Sequence, residues 1–111
     1  MIDWNRFDEL RNEVGEDAIS QVVELFLEEV DETIAQLRTA CDPARLEELL
    51  HFLKGSALNL GFAELGALCE TGEKSATDGA MGEIDLGRIV HTYDVSKKEF
   101  LAKLGLQGRA A

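Results

Sequence analysis

Two long stretches of helical apolar periodicity meet at the tripeptide Cys41-Asp42-Pro43, and that junction constrains the fold more than any other feature. Before it, Ile19, Val22, Val23, Phe26, Val30, Ile34 and Leu37 recur at three- and four-residue spacing, the stripe of a helix with one buried face. Glu28, Glu29, Asp31 and Glu32 fall on its other sides, while Leu25 and Leu27 flank the stripe, one of them left to cover a neighbour or stay partly exposed. After the junction, Leu46, Leu49, Leu50, Leu53, Ala57 and Leu60 share one side of a second helix. Asp42 is a helix cap, and Pro43 suits a first helical position, where no amide hydrogen is needed. So short a link makes the two helices antiparallel neighbours.

The remaining elements follow from similar signals. Asp3 caps a short helix over 3–14, with Ile2 and Phe7 spaced as a hydrophobic staple, Phe7, Leu10 and Val14 as its apolar edge, and Gly15 ending it. This helix is expected to lie across one end of a bundle, with Trp4 as a packing anchor. The long helices span about 17–40 and 43–60, the second ending at Gly61, a position suited to the left-handed turn that closes a helix. A fourth helix over 62–77 turns Phe62, Leu65, Leu68, Cys69 and Ala76 inward. Asp78 to Gly82 is a loop by composition, and Ile84, Asp85 and Ile89 read as the staple and cap of a fifth helix over 85–104, whose core stripe is Leu86, Ile89, Tyr93, Phe100 and Leu104. Residues 105–111 read as a frayed tail. The expected architecture is all-α, an antiparallel four-helix bundle with an additional short N-terminal helix, forming one domain over 1–111.

Charge and cysteine usage narrow the function. With 22 acidic against 11 basic residues the net charge is −11, which repels nucleic acid and anionic membranes, so neither is an expected partner. The acidity serves a well-solvated surface, or the steering of a partner with a basic rim. Cys41 and Cys69 do not make a disulfide framework, no run approaches the roughly 20 apolar residues of a membrane span, and MIDWNRFDEL is too acidic for a signal peptide. A cytoplasmic monomer is expected.

The chemistry concentrates in His51 to Gly61, HFLKGSALNLG. His51 falls almost opposite the buried stripe of its helix, flanked by Glu47, Lys54, Gly55 and Leu58. A histidine facing water offers a ring nitrogen to another molecule. Lys54, about one turn on, brings an ammonium to a group attached there. Gly55 costs up to about 1 kcal/mol in a helix interior relative to alanine; what it supplies is bare surface beside the imidazole. Nucleophile, cation and cleared ground point to phosphoryl transfer on histidine.

These residues carry a resemblance. His51-x-Leu53-Lys54-Gly55-Ser56-Ala57, then Leu60-Gly61, Leu65 and Cys69, resembles the signature of histidine-containing phosphotransfer (HPt) domains, and the helix pattern extends the likeness over nearly the whole chain. The resemblance implies a phosphorelay module, phosphorylated on His51 and exchanging the group with aspartates of response-regulator receiver domains or with a sensor histidine kinase. It implies no cofactor of its own, since the catalytic aspartate and Mg²⁺ belong to the receiver. Glu73 lies twelve residues past Gly61, and His51 ten before it, so in an antiparallel hairpin the two sit at similar heights. Phosphoacceptor domains of chemotaxis kinases carry a glutamate at a similar spacing, implying that Glu73 orients His51. Leu58, Glu47 and Ala44, along the outward side, are the expected docking positions. Gly72 departs from the family pattern, standing where a larger apolar residue is usual, and is expected to let its helix fray or bend near Thr71.

Other readings compete. Glu48-x-x-His51 has the spacing of di-iron bundles, but His51 points away from the core and the residue three before His91 is Arg88, so no second pair exists. His91 is read as a surface residue. No G-x-x-x-x-G-K-[ST] loop is present, so self-phosphorylation from ATP is not expected and the chain is a carrier rather than an enzyme. A phosphoacceptor domain cut from a larger sensor or chemotaxis kinase, and a helical interaction module that carries no phosphate, are the alternatives.

Overall fold

The computed structural model describes residues 2–40 and 42–104. Five helices follow in order: α1 (Trp4–Val14), α2 (Ile19–Leu37), α3 (Pro43–Leu60), α4 (Ala63–Thr77) and α5 (Leu86–Leu104), with a short 3₁₀ turn at Met81–Glu83. The fold is all-α, and among the described residues the only bridge of strand type is the single pairing of Ile2 with Phe62. Cys41 and the tail over 105–111 lie outside the described residues.

Local chemistry sets the helix ends. Asp3 accepts the backbone N–H of Arg6 at 3.2 Å, and Asp42 accepts that of Ala44 at 3.1 Å, each satisfying a donor that has no partner within its helix. Asp85 accepts from Arg88 N at 2.9 Å at the head of α5. Gly61 takes the left-handed conformation, φ 91°, and ends α3, where a Cβ would strike the Asp3 carbonyl. α2 is shorter than expected at both ends, Ile19–Leu37 rather than 17–40: residues 16–18 form a turn after Gly15, and Thr39 N turns back to Gln36 O.

α3 is the hub, packing against α1, α2 and α4. Its six stripe residues are all buried, facing Val23, Val30 and Leu37 of α2 and Leu65 and Cys69 of α4. Val22, Phe26 and Leu68 are only partly buried; Leu27 is in the core and Leu25 is exposed. α1 closes one end through an aromatic cluster in which Trp4 stacks on Phe100, with Phe7 and Phe62 set edge-on to the same ring. α5 is tied to α2 where the Tyr93 hydroxyl donates to Asp31 Oδ1 at 2.6 Å and Lys97 Nζ reaches both carboxylate oxygens. Burial and the Asp31 charge push the Tyr93 phenol well above its ordinary pKa.

The expected weakness at Gly72 is absent. α4 runs unbroken from Ala63 to Thr77, and Gly72 is buried. A Cβ at this position would stand 3.2 Å from Leu50 Cδ1, 3.5 Å from Ile84 Cγ2 and 3.8 Å from Ile89 Cδ1. Neighbouring side chains fill the space that a larger apolar residue would occupy, so close packing offsets the low helix propensity of glycine.

Candidate phosphoacceptor site

Mid-helix on α3, His51 stands with 68% of its side chain exposed. Its Nδ1 lies 2.9 Å from Oε2 of Glu73 on α4, at the level that counting from Gly61 predicts. An ionised carboxylate can only accept, so Nδ1 donates in this contact, and in the neutral ring the lone pair is then on Nε2. Glu73 is itself 80% covered, its side chain being 20% exposed, and its other oxygen, Oε1, meets Lys54 Nζ at 2.9 Å. The Lys54 hydrogen bond holds the Glu73 carboxyl below its ordinary range against the cost of burial, and the His51 hydrogen bond adds to the effect. The Lys54 ammonium is held above its ordinary value by the same hydrogen bond. Thus Lys54 turns toward α4 and shares the carboxylate with His51.

Gly55 lies one turn from His51, exposed, and a Cβ there would meet nothing within 4 Å. Ala44 and Leu58 are exposed and Glu47 is half-buried, all on the helix face that carries His51. Cys69 lies fully buried behind the site, its thiol pushed up to about 12 by burial and then by the Glu73 charge, so it stays protonated. His91 is exposed on α5, and Glu48 is paired with Arg45 at 2.6 Å.

Two residues of this surface have no counterpart in the sequence reading. Phe52, next to His51, is 44% exposed, and Gly66 on α4 lies directly under Leu58. The helical angle of Phe52, about 100° from His51, already puts it at the rim of the exposed face. Gly66 is level with Leu58 when the α3–α4 hairpin is counted about Gly61.

Bundle and site together define an all-α module that displays a carboxylate-held histidine from the middle of a helix. The Hpt domain family matches residues 21–95, which hold α3, α4 and this histidine, and the chain belongs to that family. It is also similar to the phosphorelay intermediate protein YPD1 of Candida albicans, 35% identical over 75 residues, covering 63% of this chain and 41% of that protein. The chain thus spans about two-fifths of the length of this curated relative. No solved structure matches. Among the described residues, no helix is long and apolar enough to cross a membrane.

Proposed function

We propose that this protein is a histidine phosphotransfer carrier that accepts a phosphoryl group on Nε2 of His51 and exchanges it with aspartates of response-regulator receiver domains. The observation that carries this reading is the Nδ1 contact of His51 with Glu73, which leaves Nε2 as the nucleophile on an exposed ring. The Nε2 lone pair attacks the phosphorus of a receiver aspartyl phosphate. The P–O bond to the aspartate breaks, and the carboxylate leaves with the electron pair. The proton on Nδ1 stays, so the phosphorylated ring is cationic and faces the Glu73 carboxylate, which stabilises the charge as it forms. In reverse the P–N bond breaks and its electron pair returns to Nε2, so the cationic ring departs as neutral imidazole, a good leaving group, when a second aspartate attacks the phosphorus. Lys54 Nζ supplies positive charge within one helical turn of His51 and neutralises phosphoryl oxygens when it shares itself between them and Glu73. Gly55 clears the approach of the incoming domain. The Mg²⁺ that assists the transfer is the receiver's.

The test is label transfer from a receiver domain phosphorylated with a radiolabelled small donor. The wild type takes up acid-labile label, and His51→Gln keeps its helical circular dichroism and takes up none. Label persisting in His51→Gln refutes the assignment, and a wild type that binds receivers without acquiring label is an interaction module instead.

A further inference from the structure

Leu58 is 46% exposed on the face that carries His51, yet its side chain is not free. It lies across the backbone of α4 at Gly66: a Cβ built there would stand 2.5 Å from Leu58 Cδ2, 2.9 Å from Cγ and 3.8 Å from Cδ1. Every carbon of the branch end rests over the glycine, and Gly66 is buried in consequence. Glycine in the body of a helix is the least stable choice short of proline, so its presence under Leu58 calls for a gain elsewhere.

We propose that Gly66 is a positioning residue for partner docking: by lacking a side chain it seats Leu58 flat against α4, as a fixed apolar anchor two turns from the phosphoacceptor. The proposal rests on the receiver-docking reading given above. Seven residues separate His51 and Leu58, so the two stand on one helix face about 10 Å apart. Between them lies Gly55, with open space where a side chain would be. A receiver that delivers a phosphoryl group must bring its aspartate to His51. A protein–protein interface covers about 800 Å² on each partner, a patch reaching about 16 Å from its centre. A patch of that size centred on His51 therefore includes Leu58. A half-exposed leucine normally samples several rotamers, and fixing one on binding opposes association. Held on Gly66, the side chain is already ordered when the receiver arrives.

Gly66→Ala isolates this role, because the three atoms nearest the new methyl all belong to the branch end of Leu58, a flexible side chain that can swing outward. Single-turnover transfer is followed at increasing phosphorylated receiver for the wild type, Gly66→Ala, Leu58→Ala and the double variant. Gly66→Ala is expected to raise the half-saturating receiver concentration about three- to fivefold, the scale of ordering one leucine side chain, while leaving the limiting rate within about twofold and the melting temperature no lower. Double-variant effects are expected to match Leu58→Ala alone, since a seat without its occupant does nothing. Phosphoramidate, a small donor that needs no docking, is expected to label Gly66→Ala and the wild type at equal rates. An unchanged half-saturation, effects that multiply in the double variant, or slower labelling by phosphoramidate each overturns the proposal. Failure of the wild type to take label from any receiver refutes the phosphotransfer reading and this inference with it, whereas normal transfer by both wild type and Gly66→Ala refutes this inference alone.

Discussion

Glu73 faces two demands at once, one from Lys54 and one from His51, and its ionisation state links them. Lys54 Nζ at 2.9 Å favours the ionised carboxyl, and an ionised carboxyl accepts only from a protonated Nδ1 of His51, 2.9 Å from its other oxygen. Removing the acid is expected to release the ring. In Glu73→Ala, ¹⁵N shifts of His51 above neutral pH should move toward the mixture of tautomers found in free imidazole, and transfer from a receiver should slow by about tenfold, the scale of one lost hydrogen bond of about 1.4 kcal/mol. Unchanged shifts would show that the contact does not control the tautomer. The pH dependence has a definite sign. A carboxyl whose folded pKa lies below its ordinary 4.5 contributes stability above that value and loses it as pH falls through the lowered one. Wild-type melting temperature should therefore drop more steeply than that of Glu73→Gln as pH falls from about 5, when the two are compared by calorimetry.

At the scale of elements, Gly55 of α3 and Gly72 of α4 act in opposite ways. A Cβ at Gly55 would enter open space, whereas one at Gly72 would press on Leu50 at 3.2 Å. Gly55→Ala should then stabilise the protein by about 0.5–1 kcal/mol through helix propensity alone, while slowing receiver-dependent transfer because the methyl stands where the partner approaches. Thermal melts and transfer rates measured together check this, and faster or equal transfer would remove Gly55 from the docking surface. The same pair shows which features a sequence discloses. The start of α3 at Pro43 and its end at Leu60 were legible because a cap, a proline and a left-handed glycine act on adjacent residues. The level of Glu73 beside His51 was legible too, since one hairpin and a fixed rise suffice. Gly72 was misread because its value depends on Leu50, Ile84 and Ile89, residues brought together only by packing. Lys54 shows the same limit: its spacing put it beside His51, but its turn toward α4 depends on where the Glu73 carboxylate lies. Gly66 went unread because nothing local ties a glycine on one helix to a leucine on the next.

Across the whole molecule, stability and chemistry are expected to occupy different levels of the bundle. α1 meets the C-terminal end of α3: Asp3 N donates to Gly61 O at 2.6 Å, and Arg6 reaches Asn59 Oδ1 at 3.0 Å. His51 lies ten residues before Gly61, about 15 Å along the helix. Trp4 stacks on Phe100 with centroids 5.7 Å apart and meets Phe7 edge-on at 6.0 Å, so it anchors that end of the molecule. Truncation to alanine removes a large apolar surface from a partly exposed site, a loss of about 2–3 kcal/mol. For a chain of 111 residues this lowers the melting temperature by about 10 °C. The ring partners of Trp4, Phe7 on α1 and Phe100 on α5, lie on helices that carry no residue of the His51–Glu73–Lys54 cluster, and α3 is continuous from that end of the molecule to His51. Trp4→Ala, assayed well below its melting temperature, is therefore expected to transfer phosphate within twofold of the wild-type rate. A rate that falls together with stability would mean that the aromatic cluster sets the tilt of α3, and hence the geometry at His51.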